Sequence, residues 1–107
     1  MTVTVLPTSR VAAPGASCAR VAVTGVVDAS NADQLRLALF AAAATHDAQL
    51  DIDLAGVTFM DCSGLRAIGD ASLALERTAG LVLCNVPGHV QRILDISDLG
   101  RTLKIRT

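Results

Sequence analysis

The chain has 107 residues, of which 51% are hydrophobic, 18% charged and 2% aromatic, and its formal net charge is −1. This length and apolar content predict a single folded domain over residues 1–107 and exclude a disordered chain. Nucleic acid is excluded as a partner, because the sequence has neither clustered basic residues nor aromatic rings on which bases stack.

Membrane insertion is not expected. The longest apolar run, LALFAAAA, is far shorter than the about 18 residues that a spanning helix needs. The first ten residues, MTVTVLPTSR, have no basic region followed by a long apolar stretch, as an export signal would. We therefore expect a cytoplasmic protein, whose oligomeric state the sequence leaves open.

The cysteines and histidines do not form a recognisable metal or disulfide pattern. Cys18, Cys62 and Cys84 are odd in number and widely spaced, and His46 and His89 are isolated. We expect no metal, no cofactor and no disulfide framework. Cys18 and Cys84 fall in or beside apolar segments and are interpreted as core residues, and the histidines as solvated side chains.

The amino-terminal part predicts two strands. TVTVLP alternates and is β-branched, which predicts an edge strand closed by Pro7. ARVAVTGVV, from Ala19 to Val27, is rich in valine and almost continuously apolar. It predicts a central strand buried on both faces.

A first helix follows. Apolar residues recur at helical spacing after DASN, which predicts a helix with Ser30 as its N-cap. Asp33, three residues later, would complete a capping box and place negative charge at the helix start.

The remaining elements continue the alternation. QLDIDLAG predicts a strand ended by Gly56, VTFMD a loop, and residues 64–78 an amphipathic helix with Gly80 just after its end. LVLC predicts a short strand, Pro87 the first turn of a third helix, and TLKI a last strand. This order predicts an α/β domain with a small mixed sheet flanked by about three to four helices.

The segment TFMDCSGLRAIG carries the candidate site. Asp61, Cys62 and Ser63 are predicted in a loop before a helix, where free N–H groups favour negative charge. A nucleophilic Cys62 would need a base, and neither histidine lies in a recognisable motif; a phosphatase-like loop would need arginine at the position of Ile68. A glycine-rich phosphate cradle is also absent from the sequence. A surface loop that contacts a partner protein is the favoured interpretation.

Two segments resemble a known family. VTFMDCSGLRAI is similar to the signature loop of STAS domains, the fold of bacterial anti-sigma factor antagonists, and VTGVVDASNADQL is similar to the segment before their first helix. Element order agrees over roughly residues 3 to 106. The resemblance implies a regulatory protein, not an enzyme, that binds a serine-kinase-type anti-sigma factor and thereby frees a sigma factor.

The resemblance also implies the site residues. Asp61, Ser63, Gly64 and Leu65 match the acid, the second serine, the glycine and the leucine of the signature, and Asp28 matches the acidic residue before the first helix. With Cys62, these residues are expected to form the partner-binding loop.

Cys62 occupies the position that the partner kinase phosphorylates in the family, and cysteine is no substrate for a serine kinase. The chain would then be a permanently competent antagonist or a scaffold-type paralogue. Alternatively, Ser63 is the phosphorylated residue, although we favour it as the N-cap of the second helix. Cys62 could also replace phosphorylation by oxidation, but we favour its interpretation as a small substitute for serine.

Two other functions stay open at this point. One is a STAS regulatory subunit of a membrane transporter complex, since STAS domains also occur there. The other is a small cysteine-dependent enzyme. The sequence does not identify the anti-sigma factor, the sigma factor or the stimulus.

Overall fold

The computed structural model describes residues 1–6, 18–45, 49–75, 80–97 and 103–106. Strands and helices alternate along them, which confirms the predicted α/β fold. The elements are β1 (Thr2–Leu6), β2 (Cys18–Val27), α1 (Ala32–Thr45), β3 (Gln49–Met60), α2 (Cys62–Leu75), β4 (Leu81–Cys84), α3 (Gly88–Ile96) and β5 (Lys104–Arg106).

The strands form one mixed sheet in the order β1-β2-β3-β4-β5. β1 pairs antiparallel with β2, and all later neighbours are parallel. A parallel pair needs a long connection, and here α1, α2 and α3 supply the three crossovers. β1 lies at the edge as predicted, whereas Pro7, predicted to close it, lies outside the described residues.

β2 is buried on one face, so the prediction that it is buried on both faces was wrong. Val21, Val23 and Val27 are fully buried, whereas Thr24 and Val26 are exposed. The helices α1 and α2 contact each other and the sheet, and in the described part of the chain the buried apolar side chains other than Cys84 form one core cluster. Valine is favoured on both faces of the strand by its β propensity, although only one face is buried.

β3 is longer than predicted. Gly56 does not end the strand, and the residues predicted as a loop continue it to Met60. The register with β2 shifts twice, and at each shift β3 carries an extra residue, which defines a β-bulge. Gly56 lies beside the first shift, where an added Cβ would come 2.5 Å from Thr24 Cγ2. The glycine therefore marks a close approach of two strands and not a turn.

The polar positions of β3 face away from the core. Asp53 accepts hydrogen bonds from the N–H of Ala55 at 2.9 Å and from Asn85 Nδ2 at 3.2 Å, and its other oxygen lies 3.4 Å from Arg20 Nη2. Asp51 is buried and accepts a hydrogen bond from Gln49 Nε2 at 2.8 Å. The predicted alternation of leucine and isoleucine with aspartate thus separates the core from a polar sheet face.

The helix boundaries differ from the predictions by a few residues. α2 begins at Cys62 instead of Gly64, and Pro87, predicted in the first turn of α3, is the N-cap directly before it. Gly80 has a positive φ of 87°, as predicted for the residue after a helix, but residues 76–79 lie outside the described part of the chain. No helix in the described residues is long and apolar enough to cross a membrane.

The other cysteines and the histidines were assigned mainly to the core or to solvent. Cys84 is buried, which confirms its prediction, and His89 is exposed in α3. The side chain of Cys18 and all of His46 lie outside the described residues. Among the residues that are described, no three metal-ligating side chains cluster.

The contact between α2 and the sheet depends on Gly64. An added Cβ would lie 2.7 Å from Val27 Cγ1 and 2.9 Å from Met60 Cγ, and both of these side chains are buried. We expect Gly64→Ala to lower the free energy of unfolding by about 1 to 3 kcal/mol, because the core cannot absorb the methyl group without moving. Urea unfolding followed by circular dichroism measures it. Gly88→Ala is the control, since an added Cβ there meets no atom within 4 Å; equal stability of the two variants would contradict the close contact.

Candidate functional site

Two chain segments meet at the carboxyl ends of β2 and β3. Val27 and Met60 pair as the last residues of these parallel strands, so Asp28 and Asp61 follow at the same edge of the sheet. The N–H of Asp61 donates to the carbonyl of Val27 at 3.2 Å, which joins the segments. We call Asp28 together with residues 61–65 the edge site. It contains every residue that the sequence predicted as partner-binding.

Asp61 is the N-cap of α2. Its Oδ1 accepts hydrogen bonds from the N–H groups of Ser63 at 2.9 Å and Gly64 at 3.3 Å. The prediction that Ser63 caps this helix was therefore wrong. The helix begins before Ser63, and a carboxylate is both a favoured cap and a favourable charge at a helix start.

Asp28 holds the turn between β2 and α1. Its Oδ1 accepts hydrogen bonds from the hydroxyl of Ser30 and, at 2.9 Å, from the N–H of Ser30. The hydroxyl first and then the N–H stabilise the ionised carboxylate, which lowers the pKa of Asp28 below its ordinary value of 3.8. At neutral pH this end of the edge site therefore carries a negative charge.

Ser30 is not the N-cap of α1, contrary to the prediction, because its hydroxyl bonds Asp28. Asn31 directly precedes the helix, and its side chain bridges back to β2: Oδ1 accepts from the N–H of Asp28 at 3.0 Å and Nδ2 donates to the carbonyl of Val26 at 2.9 Å. The sequence signal for Asn31 was present, since asparagine is a favoured cap, but the serine was chosen.

Asp33 does not complete a capping box. Its carboxylate pairs with Arg36 one turn later, and Arg36 Nε also donates to Asp70 Oδ2 at 3.0 Å. Asp33 therefore belongs to an ion-pair network between α1 and α2, which are neighbours on the sheet.

Burial divides the edge site into a surface and a support. Cys62 is exposed and has a free thiol, Asp61 and Ser63 are half-buried, and Gly64 and Leu65 are buried. Leu65 packs in the core and anchors the first turn of α2. The surface available to another molecule consists of Cys62 with the two half-buried residues beside it and Asp28.

Two exposed apolar residues adjoin the edge site and were missed by the sequence analysis. Val26 and Phe59 are 44% and 50% exposed and are paired across β2 and β3. Phe59 was assigned to a loop because Gly56 was taken as the strand end. A glycine within a strand pattern can mark a bulge as well as a strand end. Reading Gly56 as a bulge would have placed Phe59 in β3.

The chain is similar in sequence to known proteins. A family model described as "Mlab, STAS domain" matches residues 10–106. The Bordetella bronchiseptica protein "Putative anti-sigma factor antagonist BtrV" is 32% identical over 74 residues, which are 68% of this chain and 64% of that protein. The match thus spans less than two thirds of the curated relative.

Solved structures share the fold. A crystal structure of an anti-sigma factor antagonist from Mycobacterium paratuberculosis superposes with a TM-score of 0.76 at 24% identity and covers 97% of this chain and 85% of its own. The unphosphorylated form of the anti-sigma factor antagonist SpoIIAA gives 0.69 at 16% identity, covering 99% and 88%. The phosphorylated form of the Bacillus cell fate determinant SpoIIAA gives 0.65 at 18% identity, covering 99% and 92%.

The cap at Asp61 can be tested by substitution. We expect Asp61→Ala to lower the free energy of unfolding by about 0.5 to 2 kcal/mol, because two N–H groups of α2 lose their acceptor. Asp61→Asn keeps an acceptor oxygen and should lose less. Urea unfolding compares the two variants. If Ser63→Ala proves as destabilising as Asp61→Ala, the assignment of the cap is wrong.

The hydrogen bonds of Asp28 predict a pKa effect. Ser30→Ala removes the hydroxyl donor, so the pKa of Asp28 should rise toward 3.8. A carboxyl group whose pKa is lower in the folded state than in the unfolded state stabilises the fold at pH values above its unfolded-state pKa. This stabilisation is lost as the pH falls through the folded-state pKa. The stability difference between wild type and Ser30→Ala should therefore be largest above pH 3.8 and shrink on acidification. Carbon-13 NMR titration of the carboxyl group measures the pKa, and an unchanged value would contradict the assignment. Ser72→Ala is the control, because Ser72 lies ten residues along α2 from Cys62.

Proposed function

Because the chain belongs to the STAS domain family, we propose that it acts as an anti-sigma factor antagonist. In this proposal the edge site binds a serine-kinase-type anti-sigma factor, and the anti-sigma factor consequently releases a sigma factor. The protein works by binding and needs neither catalysis nor a cofactor.

The observation that best supports this proposal is the exposed position of Cys62. It is the first residue of α2, directly after the capping carboxylate of Asp61 and at the edge where the β2 segment brings Asp28. Its thiol is free and exposed. A residue so placed is accessible to a partner protein, and a charge added to it would lie beside the carboxylate of Asp61.

The electrostatic effect of a phosphate at this position shows what its absence means. A phosphate carries about −1.5 to −2 charges. At about 6 Å from one carboxylate, repulsion amounts to roughly 1 to 5 kcal/mol for effective dielectric constants between 80 and 20. The amino terminus of a helix stabilises a negative charge by only about 0.3 to 1 kcal/mol, and at most about 2 kcal/mol. Phosphorylation would thus disfavour a docked state, and a chain with Cys62 remains competent to bind.

Ser63 is the alternative phosphorylation site. Its N–H is bonded to Asp61, and because the carboxylate caps the helix, the serine hydroxyl is not needed for capping. The side chain is half-buried, however, whereas Cys62 is exposed. Accessibility to a kinase favours position 62 over position 63.

A phosphorylation assay tests the proposed function. The wild type is incubated with ATP and each purified serine-kinase-type anti-sigma factor encoded in the same genome. We expect one of them to bind the wild type and transfer no phosphate, whereas Cys62→Ser should gain one phosphate and lose affinity. Intact-mass spectrometry and calorimetry measure the two effects.

The control is the double variant Cys62→Ser with Ser63→Ala, which should still gain one phosphate. Phosphate on wild-type Ser63 would contradict the assignment of the switch to position 62. The antagonist function itself would be rejected if none of the anti-sigma factors bound and the protein instead co-purified with a membrane transporter complex.

A further inference from the structure

An apolar pair lies on the sheet face opposite the core, beside the edge site. Val26 and Phe59 are register partners on neighbouring strands, and both are about half exposed, at 44% and 50%. The next pair, Val27 and Met60, is buried, and successive side chains of a strand point to opposite faces. The apolar pair therefore points away from α1 and α2.

The exposure of Phe59 depends on the bulge in β3. Gly25 pairs with Val57 and Val26 with Phe59, so Thr58 is the extra residue. Val57 is buried, and unbroken alternation would turn Phe59 toward the core as well. The bulge reverses this and directs one of the two aromatic rings of the chain into solvent.

The pair is continuous with the edge site. The carbonyl of Val26 accepts a hydrogen bond from Asn31 Nδ2 at 2.9 Å, and Asn31 Oδ1 accepts from the N–H of Asp28. Phe59 lies on the strand that leads through Asp61 into α2. Val26 and Phe59 thus lie two and three residues before Asp28 and Cys62, at the strand ends that lead into the edge site.

We propose that the docking surface for the anti-sigma factor extends from the edge site onto Val26 and Phe59, an inference that rests on the proposed function. The surface fits a partner that presents an apolar side chain to the Val26–Phe59 pair and a lysine or arginine to Asp28. The carboxylate of Asp28 is complementary to a basic side chain, and the exposed Val26–Phe59 pair is complementary to an apolar one. Aromatic residues are also enriched among the energetically dominant residues of interfaces.

Charge decides against two other occupants. A second copy bound through a two-fold axis would place the same patch on both sides of the interface, so that two ionised Asp28 carboxylates and no basic residue of the patch would be buried in it. An anionic membrane surface attracts basic segments and would repel the negative charge of Asp28. Binding of a second copy and binding of a membrane are both measured in the test below.

The test uses Val26→Thr with Phe59→Thr in one variant. Threonine keeps the β-branched shape of Val26 and a high β propensity at both positions, and it removes most of their apolar surface. With the anti-sigma factor that binds the wild type, we expect the dissociation constant to rise about 10-fold or more. Phe40→Ala is the matched control, because Phe40 is an exposed phenylalanine in α1, about 12 Å along the helix from its start. It should bind as the wild type does.

Further measurements separate the outcomes. Hydrogen exchange of the complex should show protection across residues 24–28 and 57–62. Cys62→Glu should weaken binding through the edge site; if it does so while the double threonine variant binds normally, the extended surface is wrong and the proposed function stands. If no anti-sigma factor binds the wild type, both fail. The assignment of the occupant would also be overturned if the wild type dimerised, or bound vesicles containing 30% phosphatidylglycerol, and the double threonine variant did not.

Discussion

The parallel pairing of β2 with β3 is the constraint on which the site depends. It ends with the hydrogen bond from the Asp61 N–H to the Val27 carbonyl, and it brings two turns that α1 and β3 separate in the chain to one edge of the sheet. Parallel strands end at the same edge, so the topology itself places Asp28 next to the start of α2.

Both carboxylates at this edge are engaged within their own segments. Asp61 bonds the first N–H groups of α2, and Asp28 bonds both donors of Ser30. Neither has to be reorganised when a partner arrives, which reduces the cost of ordering the surface on binding. Cys62, directly after the capping carboxylate of Asp61, is the exposed residue at the start of α2.

Element type and order could be predicted from the sequence, because period and turn residues are local signals. The failures arose where tertiary contacts compete with local signals. Val21 and Val26 both have strong β propensity, but only the helices decide which of them is buried. Ser30 and Ser63 are good caps, but the hydroxyl of Ser30 bonds Asp28, and Asp61 bonds the N–H groups of Ser63 and Gly64 and so caps α2 earlier in the chain than Ser63 would. The edge site residues came from a family resemblance; their division into exposed and buried members needed the structure.

Two glycines also show that tertiary contacts can override a local signal in and near the edge site. Gly56 and Gly64 both appeared as boundaries, yet one permits a strand-to-strand contact inside β3 and the other permits α2 to approach Val27. The bulges in β3 have a consequence at the surface, because the second one determines that Phe59 faces solvent. A local change of one residue in strand register thus gives the acidic edge an apolar neighbour, and it does so on the sheet face that α1 and α2 leave open. Charge and apolar area then lie side by side on strands whose positions are fixed by the core, which is the arrangement expected of a preorganised protein-binding surface.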